Sequence, residues 1–298
     1  MALVTILTPT YNRGANLEAL FASLKAQTSR NFVWLVVDDG STDDTRQRVD
    51  AFRQQADFVM QYLYKPNGGK HTALNTGISA IDTELTFIVD SDDTLYPNAV
   101  ETIERYYEKY RQVPGVGVWS FLRCNTRHGI LVQMPQEETV GSYVSERIKT
   151  PRPGDMAEVF RTEALRAFPF PVFAGERFLS EDVVWIPLGL QYQTVFINRP
   201  IYAFEYLEDG LTCNDKRHKF ASPLGSMLRG KMLMKKQCGW KANLKGAIIY
   251  NCFKREVCGE IPACVRCKGV RERLLVVLTS PFGGLFYRKW KAQMGAQE

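Results

Sequence analysis

The fold of this 298-residue chain is decided by the stretch Leu85-Thr86-Phe87-Ile88-Val89-Asp90-Ser91-Asp92-Asp93. Its first half is a continuous apolar run, which is typical of a strand covered on both faces. In an α/β domain such a strand is parallel and central, and its carboxyl end opens onto a ligand crevice. Asp90 and Asp92 lie at that end, and their spacing lets both carboxylates face one divalent cation. The stretch therefore predicts a Mg²⁺ or Mn²⁺ site, unless the acids only end the strand and cap the helix that begins near Pro97.

Three earlier segments of the chain repeat the order strand, polar loop and helix. The predicted strands are residues 3–8, 32–37 and 58–64, and the loops after them are residues 9–14, 38–43 and 65–70. The carboxyl ends of parallel strands meet at one edge of a sheet. The sequence therefore predicts an α/β fold with a mostly parallel sheet, whose loops converge on Asp90 and Asp92.

Each of these loops carries a residue whose chemistry suits a nucleotide. Tyr11 offers an aromatic face for stacking on a base, and Asp39 offers an acceptor for the imide N–H of uracil or thymine. The pair Gly68-Gly69 permits close approach of the backbone, and Lys70 adds a cation that suits a diphosphate. The spacing of a Walker loop is absent. Taken alone, residues 39–41 are equally consistent with a turn and a helix cap, so the prediction depends on the combination of loops.

Five motifs, in their order and spacing, resemble an inverting family-two glycosyltransferase of the GT-A fold. The matching residues, which cover about residues 3–205, are Pro9-Thr10-Tyr11-Asn12, Val37-Asp38-Asp39-Gly40-Ser41, Asn67-Gly68-Gly69-Lys70 with Ala73 and Asn75-Thr76-Gly77, Val89-Asp90-Ser91-Asp92-Asp93, and Ser180-Glu181-Asp182. The resemblance implies a Rossmann-like, mostly parallel sheet flanked by helices. It also implies a nucleotide-sugar donor, usually UDP-linked.

The resemblance further implies a role for individual residues. The implied donor-binding residues are Pro9, Tyr11, Asp39, Asn67, Gly68, Lys70, Asn75, Asp90 and Ser91. Asp92, together with Asp90, is implied to hold the metal, and Asp182 is implied to be the catalytic base. Glu181 and Trp185 are candidates for contact with the acceptor.

One position departs from the family pattern. Many relatives place an arginine directly before the residue that is Asn75 here, whereas this chain has Leu74. The diphosphate contact would therefore pass to Lys70 or His71, or be lost.

Residues 180–182 begin a predicted helix, and their chemistry is consistent with a general base. Ser180 is a good N-cap, and the helix dipole favours carboxylates in the first turn by about 0.3–1 kcal/mol. A general base must be ionised and must reach the acceptor hydroxyl, so Asp182 suits the role if it shares one pocket with Asp90 and Asp92. The alternative is that Glu181 and Asp182 only stabilise the start of the helix and have no catalytic role.

The remaining elements are predicted from hydrophobic periodicity. The predicted helices are residues 98–110 and 162–167, and the predicted strands are residues 116–121, 156–160, 194–197 and 201–206. Residues 123–153 are predicted to form an irregular surface segment, and the resemblance implies that this segment belongs to the acceptor-binding part of the protein. Residues 205–212 are a candidate segment to close over the donor phosphates.

The charge of the chain divides it into two regions. Residues 1–215 hold 20 Lys/Arg and 28 Asp/Glu, whereas residues 216–298 hold 18 and 4, so the net charges are −8 and +14. We therefore predict a boundary near residue 215. The resemblance implies that residues 1–215 form the catalytic domain, with a nucleotide-sugar half (about 1–115) and an acceptor half (about 116–215). Residues 216–298 are predicted to form a basic, amphipathic, helical region.

Cations in the C-terminal region alternate with aromatic and aliphatic side chains. Basic helices with apolar faces suit the surface of an anionic bilayer. Residues 274–287, bracketed by Arg271, Arg273, Arg288 and Lys289, are too short to span a membrane but suit its interface. The alternative is a solvated basic tail packed on the catalytic domain. No recognisable nucleic-acid module accompanies the charge, so no nucleic-acid partner is predicted.

The start of the chain and its cysteines bear on the compartment. Residues 1–7 lack the positively charged start of a secretory signal peptide. The sequence has no apolar stretch of about 18 or more residues, so no membrane-spanning helix is predicted. The seven cysteines are scattered, and only Cys264 and Cys267 have a zinc-type spacing, so reduced thiols are favoured over a zinc site. We predict a cytoplasmic protein, peripheral on the inner face of the cell membrane.

The combined prediction is a metal-assisted, inverting transfer of a sugar from a UDP-sugar to a hydroxyl of a glycan or lipid-linked acceptor. One alternative is a nucleotidyltransferase that makes a sugar nucleotide, but this would need a Gly-rich, Arg-containing loop where residues 9–11 stand. The other alternative is a catalytically silent nucleotide-sugar-binding protein, which would have little reason to keep both sets of carboxylates.

Overall fold

The computed structural model describes residues 2–150, 152, 154–205 and 215–295, and their contacts divide the chain into two compact units. The sheet unit comprises Met1–Ser142, Arg152–Pro169 and Gln191–Glu205. The helical unit comprises Tyr143–Pro151, Phe170–Leu190 and Tyr206–Glu298. The domain boundary predicted between residues 215 and 216 is a statement about which segments can fold independently. It stays a prediction. The predicted closing segment, 205–212, lies almost entirely outside the described residues.

The sheet unit is built on one sheet of ten strands among the described residues. The strands are β1 (Val4–Thr10), β2 (Phe32–Asp38), β3 (Val59–Tyr64), β4 (Leu85–Ile88), β5 (Thr94–Leu95), β6 (Val116–Asn125), β7 (Gly129–Ile130), β8 (Glu138–Gly141), β9 (Met156–Arg161) and β10 (Gln193–Phe204). The helices between them are α1 (Leu17–Lys25), α2 (Thr45–Gln55), α3 (Lys70–Ala80), α4 (Ala99–Tyr110) and α5 (Thr162–Arg166). The predicted α/β fold is confirmed.

The order of the strands is β3-β2-β1-β4-β9-β6-β10-β5, with β7 on β6 and β8 on β10. The four strands β3, β2, β1 and β4 are parallel, as are β6 and β10. Between these parallel blocks, β9 runs antiparallel to both β4 and β6. The sheet is therefore mostly parallel, and β4, the strand that precedes Asp90, lies near its centre.

The core explains why β4 is central. Phe87 is fully buried between the neighbouring strands, and Trp34 on β2 is equally buried. Helix α3 approaches the sheet most closely at Gly77, where an added Cβ would come within 2.3 Å of Leu7 Cδ1. Only glycine lets the helix pack at this distance without a shift of the sheet.

Two predictions about the second half of the sheet unit need correction. Residues 194–197 and 201–206 were predicted as separate strands, but β10 runs unbroken from Gln193 to Phe204. Pro200 lacks an N–H, and the strand accommodates it through register shifts against β6. The segment 123–153 was predicted to be irregular, but it contains β7, β8 and a π-helical turn at Val144–Lys149. Strand β8 is integrated into the sheet because it pairs antiparallel with β10.

The helical unit contains five α-helices among the described residues. They are α6 (Asp182–Gln191), α7 (Asp215–Ala221), α8 (Pro223–Leu233), α9 (Trp240–Phe253) and α10 (Val270–Gly295). Helix α10 contains Pro281 and packs along α9. The C-terminal region is thus helical, as predicted. No helix within the described residues has the length and apolarity to cross a membrane.

Candidate active site

The loops after β1, β2, β3 and β4 lie along one edge of the sheet. The register places Thr10 beside Asp38 and Asp38 beside Tyr64, so three strands end side by side. On the other side of β1, Leu7 pairs with Ile88, and Val89 N donates a 3.0 Å hydrogen bond to Leu7 O. The predicted convergence of these loops with the acids after β4 is confirmed.

Asp39 organises the loop that follows β3. Its carboxylate accepts hydrogen bonds from Gly68 N (3.0 Å), Gly69 N (2.7 Å) and Lys65 Nζ (2.5 Å). Asn67 Nδ2 donates to Asp39 O at 2.9 Å. The Asp39 side chain is only 4% exposed, so its charge is compensated inside the protein. Asp39, Asn67 and Gly68 are therefore brought together as predicted, while the contact of Asp39 with a base stays a prediction.

Asn12 connects the first two loops, and sequence reasoning gave it no separate role. Its φ of 51° is in the left-handed region, which asparagine tolerates better than most residues. Asn12 N donates to Ser41 Oγ at 2.8 Å, and Asn12 Oδ1 accepts from Thr42 N at 2.7 Å. The only local signal was an asparagine in a turn-forming loop, since its partners Ser41 and Thr42 are about 30 residues further along the chain. These bonds fix the relative position of the two loops.

The two acids after β4 each form an ion pair with a cation from another loop. Asp90 Oδ1 lies 2.7 Å from Lys70 Nζ, and Asp92 Oδ2 lies 2.7 Å from Arg13 Nη1. Burial alone would raise the pKa of Asp90, but the positive charges of Lys70 and Arg123 outweigh it and lower that pKa. Burial and the negative charge of Asp90 raise the pKa of Asp92, against the opposing charge of Arg13. The two carboxylates are thus close enough to influence each other.

A third acid in this stretch is held by residues that sequence reasoning missed. Asp93 Oδ2 lies 2.8 Å from Arg123 Nη2 and accepts a 2.6 Å hydrogen bond from Tyr202 OH. The Arg123 guanidinium also stacks over the Tyr202 ring, 4.1 Å from its centroid. Asp90 N donates to Tyr202 OH at 3.1 Å, so this cluster supports the backbone of residues 90–93, which we call the acid turn. Burial and the charge of Asp90 raise the pKa of Asp93 to about 7, despite Arg123.

The acid turn fits a divalent cation in its chemistry. Asp90 and Asp92 offer hard carboxylate oxygens, and their side chains are 31% and 22% exposed. The described residues hold no cluster of three or more His, Cys, Asp or Glu that suits a metal ion. Mg²⁺ commonly uses only one or two carboxylates and takes its other ligands from substrate phosphates and water. A site with the two carboxylates of Asp90 and Asp92 is therefore consistent with such an ion.

The other predicted donor residues lie on the same loops or beside them. Pro9 is buried in β1, whereas Tyr11 directly after it is 45% exposed. Ser91 is buried within the acid turn, and Asn75 is half-buried on α3. An exposed aromatic ring beside buried neighbours is available for stacking.

The predicted base and its neighbours belong to the helical unit. Asp182 is the first residue of α6, and its Oδ2 accepts a 2.7 Å hydrogen bond from Arg229 Nε on α8. Glu181 O accepts bonds from the backbone N–H groups of Val184 and Trp185. Trp185 packs edge-on against Phe170. Arg229 was missed because nothing local to residues 180–185 indicates it. That Asp182 shares a pocket with Asp90 and Asp92 stays a prediction.

The fold and this edge place the chain in the class of α/β proteins with the GT-A fold. The chain belongs to glycosyl transferase family 2, whose family model matches residues 5–162, more than half of its length. The resemblance to family two is thereby confirmed, and the matched residues include four of the five motifs.

Curated relatives match parts of the chain. Glycosyltransferase GlyG of Streptococcus pneumoniae serotype 4 is 38% identical over 101 residues, which are 34% of each chain. An uncharacterized glycosyltransferase of Nostoc sp. is 28% identical over 178 residues, covering 60% of this chain and 51% of the relative. The chain spans about a third of the length of the first three curated relatives, between 30% and 37%.

Solved structures of low sequence identity share the fold. Staphylococcus aureus TarS 1-349 in complex with UDP-GlcNAc superposes with a TM-score of 0.62 at 16% identity, covering 96% of this chain and 92% of TarS 1-349. Mannosyltransferase PcManGT from Pyrobaculum calidifontis, in complex with GDP-Man and Mn²⁺, has a TM-score of 0.56 at 16% identity. That match covers 99% of this chain and 83% of PcManGT.

Proposed function

We propose that the protein is an inverting glycosyltransferase that moves a sugar from a UDP-sugar to a hydroxyl of a glycan or lipid-linked acceptor, with Mg²⁺ or Mn²⁺. Family membership gives the reaction class. The donor, the metal and the roles of individual residues go beyond what family membership shows, and they are the parts that we propose.

One observation carries the donor proposal. Asp90 and Asp92 are each paired with a cation, Lys70 and Arg13, that comes from a different loop of the same edge. A metal-bound nucleoside diphosphate carries a positive metal ion and a negative diphosphate. The two carboxylates are suited to bind the metal ion, and the lysine and arginine are suited to bind the diphosphate. The edge therefore provides complementary groups for both parts of the donor.

The structural neighbours support the choice of donor class. TarS 1-349 was solved with UDP-GlcNAc, and PcManGT with GDP-Man and Mn²⁺. Both ligands are nucleoside diphosphate sugars. For this chain we propose uridine as the nucleoside, with Tyr11 stacking on the base. Asp39 holds the Gly68-Gly69 turn at the nucleotide edge.

The chemistry that we propose for the chain's own residues is a single displacement. Asp182 accepts the proton of the acceptor hydroxyl as that oxygen attacks the anomeric carbon from the face opposite the diphosphate. Arg229 holds Asp182 Oδ2 and thereby orients the carboxylate. Glu181 and Trp185 flank it on α6 as candidate acceptor contacts. A metal held by Asp90 and Asp92 would supply Lewis-acid stabilisation of the departing diphosphate.

The organisation of the chain extends the proposal. Residues 1–215 form the catalytic part, and residues 216–298 contact a membrane surface. A location on the inner face of the cell membrane would bring the enzyme to a lipid-linked acceptor. The net charge of +14 over residues 216–298 supports this part of the proposal.

The proposal is tested by separating donor binding from transfer. A panel of nucleotide sugars with Mn²⁺ is screened for thermal stabilisation, since a ligand at 100 times its Kd adds about 2.7 kcal/mol to the free energy of unfolding. We expect UDP-sugars to stabilise the protein and a chelator to remove the effect. Stabilisation that persists unchanged with the chelator would contradict metal-assisted binding.

The same screen then tests the base with Asp182→Asn. We expect this variant to keep its stabilisation by the donor but to release UDP about 10²–10⁴-fold more slowly, because a general base contributes that much. The matched control is Asp57→Asn, since Asp57 Oδ2 also accepts from an arginine Nε, that of Arg30, at 3.1 Å. Asp57 lies between α2 and β3, away from the donor loops. Full activity of Asp182→Asn would remove the base assignment.

A further inference from the structure

Helix α10 has large apolar side chains on its outward side. They are Val270, Leu274, Val277, Leu278, Phe282 and Leu285, and each is between 54% and 74% exposed. Apart from the adjacent Val277 and Leu278, they are spaced three or four residues apart, as on one side of a helix, so they form one stripe along about four turns. We call this set the apolar stripe. A contiguous exposed patch of this kind marks an interaction surface rather than an ordinary solvated helix.

The opposite side of α10 is fixed against α9, which determines where the apolar stripe points. Asn251 Nδ2 on α9 donates to Val276 O at 2.7 Å and to Thr279 Oγ1 at 3.0 Å. At Gly283, an added Cβ would come within 2.4 Å of Asn251 Cβ. The helix is therefore held closely along Thr279 and Gly283, and rotation of the apolar stripe into the protein would break these contacts.

The second half of α10 is fixed in the same way. Trp290 packs on Phe253, with ring centroids 6.0 Å apart, and Lys291 Nζ lies 3.0 Å from Glu256 Oε1. These contacts involve the side of the helix away from the apolar stripe. The outward side is thus a permanent feature of the helical unit.

Cations lie at both ends of the apolar stripe. Arg273 lies at its start, Arg288 and Lys289 lie just beyond its end, and these three side chains are exposed. Arg271 is exposed as well, but its guanidinium donates to Met234 O at 2.9 Å and to Asn243 Oδ1. Glu272 is the one acidic residue in the described part of α10. The surface is therefore apolar along its middle and positive at its rims.

We propose that the apolar stripe lies in the interface of an anionic lipid bilayer, with the axis of α10 in the plane of the membrane. The inference deepens the membrane part of the proposed function and needs no assumption about donor or metal. Residues 270–285 extend over about 22 Å, which is shorter than the roughly 30 Å of a hydrocarbon core. An interfacial position buries the apolar stripe and leaves the basic ends among the headgroups.

Charge complementarity favours a bilayer over a second copy of the chain. Two copies that paired through this face, either parallel or antiparallel, would bring basic ends of α10 against each other, because both ends are basic. Anionic lipid headgroups oppose the same arginines and lysines with the opposite charge. The lipid surface therefore satisfies the apolar stripe and its rims together.

The test is co-sedimentation of the full chain with vesicles. We expect binding to vesicles of phosphatidylcholine with phosphatidylserine and weaker binding to phosphatidylcholine alone. Leu274→Gln with Leu278→Gln removes apolar area without a change of charge, and we expect about tenfold weaker binding. The control is Val59→Gln with Val172→Gln, two exposed apolar residues that lie outside α10.

Three outcomes would overturn the inference. Wild-type binding by the Leu274/Leu278 variant would mean that the apolar stripe is not inserted. Absence of vesicle binding by the wild type would exclude the bilayer. A concentration-dependent dimer that the variant loses, measured by sedimentation without lipid, would assign the face to a second copy. Thermal stabilisation by the UDP-sugar tests the proposed function separately from vesicle binding. If the UDP-sugar fails to stabilise the wild type, the proposed donor is contradicted but the membrane inference is not.

Discussion

The loops after β1, β2, β3 and β4 in the sheet unit and helix α10 in the helical unit treat burial in opposite ways. In the loops, charged side chains are buried and paired within the chain, as Asp39 is with Lys65 and Asp93 is with Arg123. On α10, large apolar side chains such as Val270 and Leu278 are 74% and 71% exposed. The first arrangement is complete within the polypeptide. The second becomes favourable only when something from outside removes the apolar surface from water.

The largest effect that would test this contrast is loss of a buried cation. Arg123→Met leaves the Asp93 carboxylate, 6% exposed, without its ion pair. Removing one partner of a buried pair destabilises a protein by about 3–5 kcal/mol when the other charge stays buried and uncompensated. Because the pKa of Asp93 is already about 7, the carboxyl binds a proton at lower pH, so the loss should be largest well above pH 7. We expect this loss in the free energy of unfolding, measured by urea denaturation.

Arg127→Met is the matched control for Arg123→Met. Arg127 forms an ion pair with Glu205, but its side chain is 72% exposed. Surface ion pairs contribute about 0–1 kcal/mol. Equal losses for the two variants would show that the acid turn is not stabilised by burial and pairing of its charges, and would break the contrast.

A smaller effect concerns a histidine at the same edge. His71 is 3% exposed, and its Nδ1 has no hydrogen-bond partner within the described residues. Burial lowers the pKa of His71, with Lys65 acting in the same direction and Asp39 opposing. The ring is therefore neutral in the folded state down to a lower pH than in the unfolded chain, where its pKa is about 6.5.

The sign of the pH dependence follows from this difference. Below pH 6.5 the unfolded state binds a proton that the folded state does not, so stability is lost as the pH falls. We expect His71→Gln to remove about 1 kcal/mol of the fall in unfolding free energy between pH 7 and pH 5.5. His128→Gln, at an exposed histidine, is the control. An unchanged slope in His71→Gln would show that the ring is not buried as a neutral group.

The smallest expected effect sharpens the contrast from the other side. Leu274→Gln with Leu278→Gln should change the free energy of unfolding in water by no more than about 0.5 kcal/mol, as surface substitutions do. Urea denaturation without lipid measures it. A loss of more than about 2 kcal/mol would instead be typical of core leucines and would contradict an outward-facing apolar stripe.

Local patterns in the sequence predicted the elements whose signals are local. The apolar run before Asp90 predicted a central parallel strand, and Asp39 and Lys70 were correctly placed at one edge by the repeat of strand, loop and helix. The supporting residues were not predictable in this way, because Arg123 and Tyr202 are 30 and 109 residues from their partner Asp93. Pairing over such distances leaves no periodic or motif signal.

The remaining differences have equally physical causes. The strands predicted at residues 194–197 and 201–206 are one strand, because register shifts against β6 absorb Pro200, which cannot donate a ladder hydrogen bond. The partner of Asp182 was missed because Arg229 is 47 residues further along the chain. The outward direction of the apolar stripe depends on Asn251 and Gly283, so hydrophobic spacing predicted the amphipathic helix but not which side would be buried.

Pro281 sets a limit on the depth at which α10 can rest. Proline has no N–H, so the carbonyl group of Val277, one turn earlier, cannot receive its usual bond from residue 281. Hydrocarbon offers no substitute donor, whereas the hydrated headgroup layer does. On the bilayer surface that we propose for it, α10 would therefore have a preferred level near the water boundary.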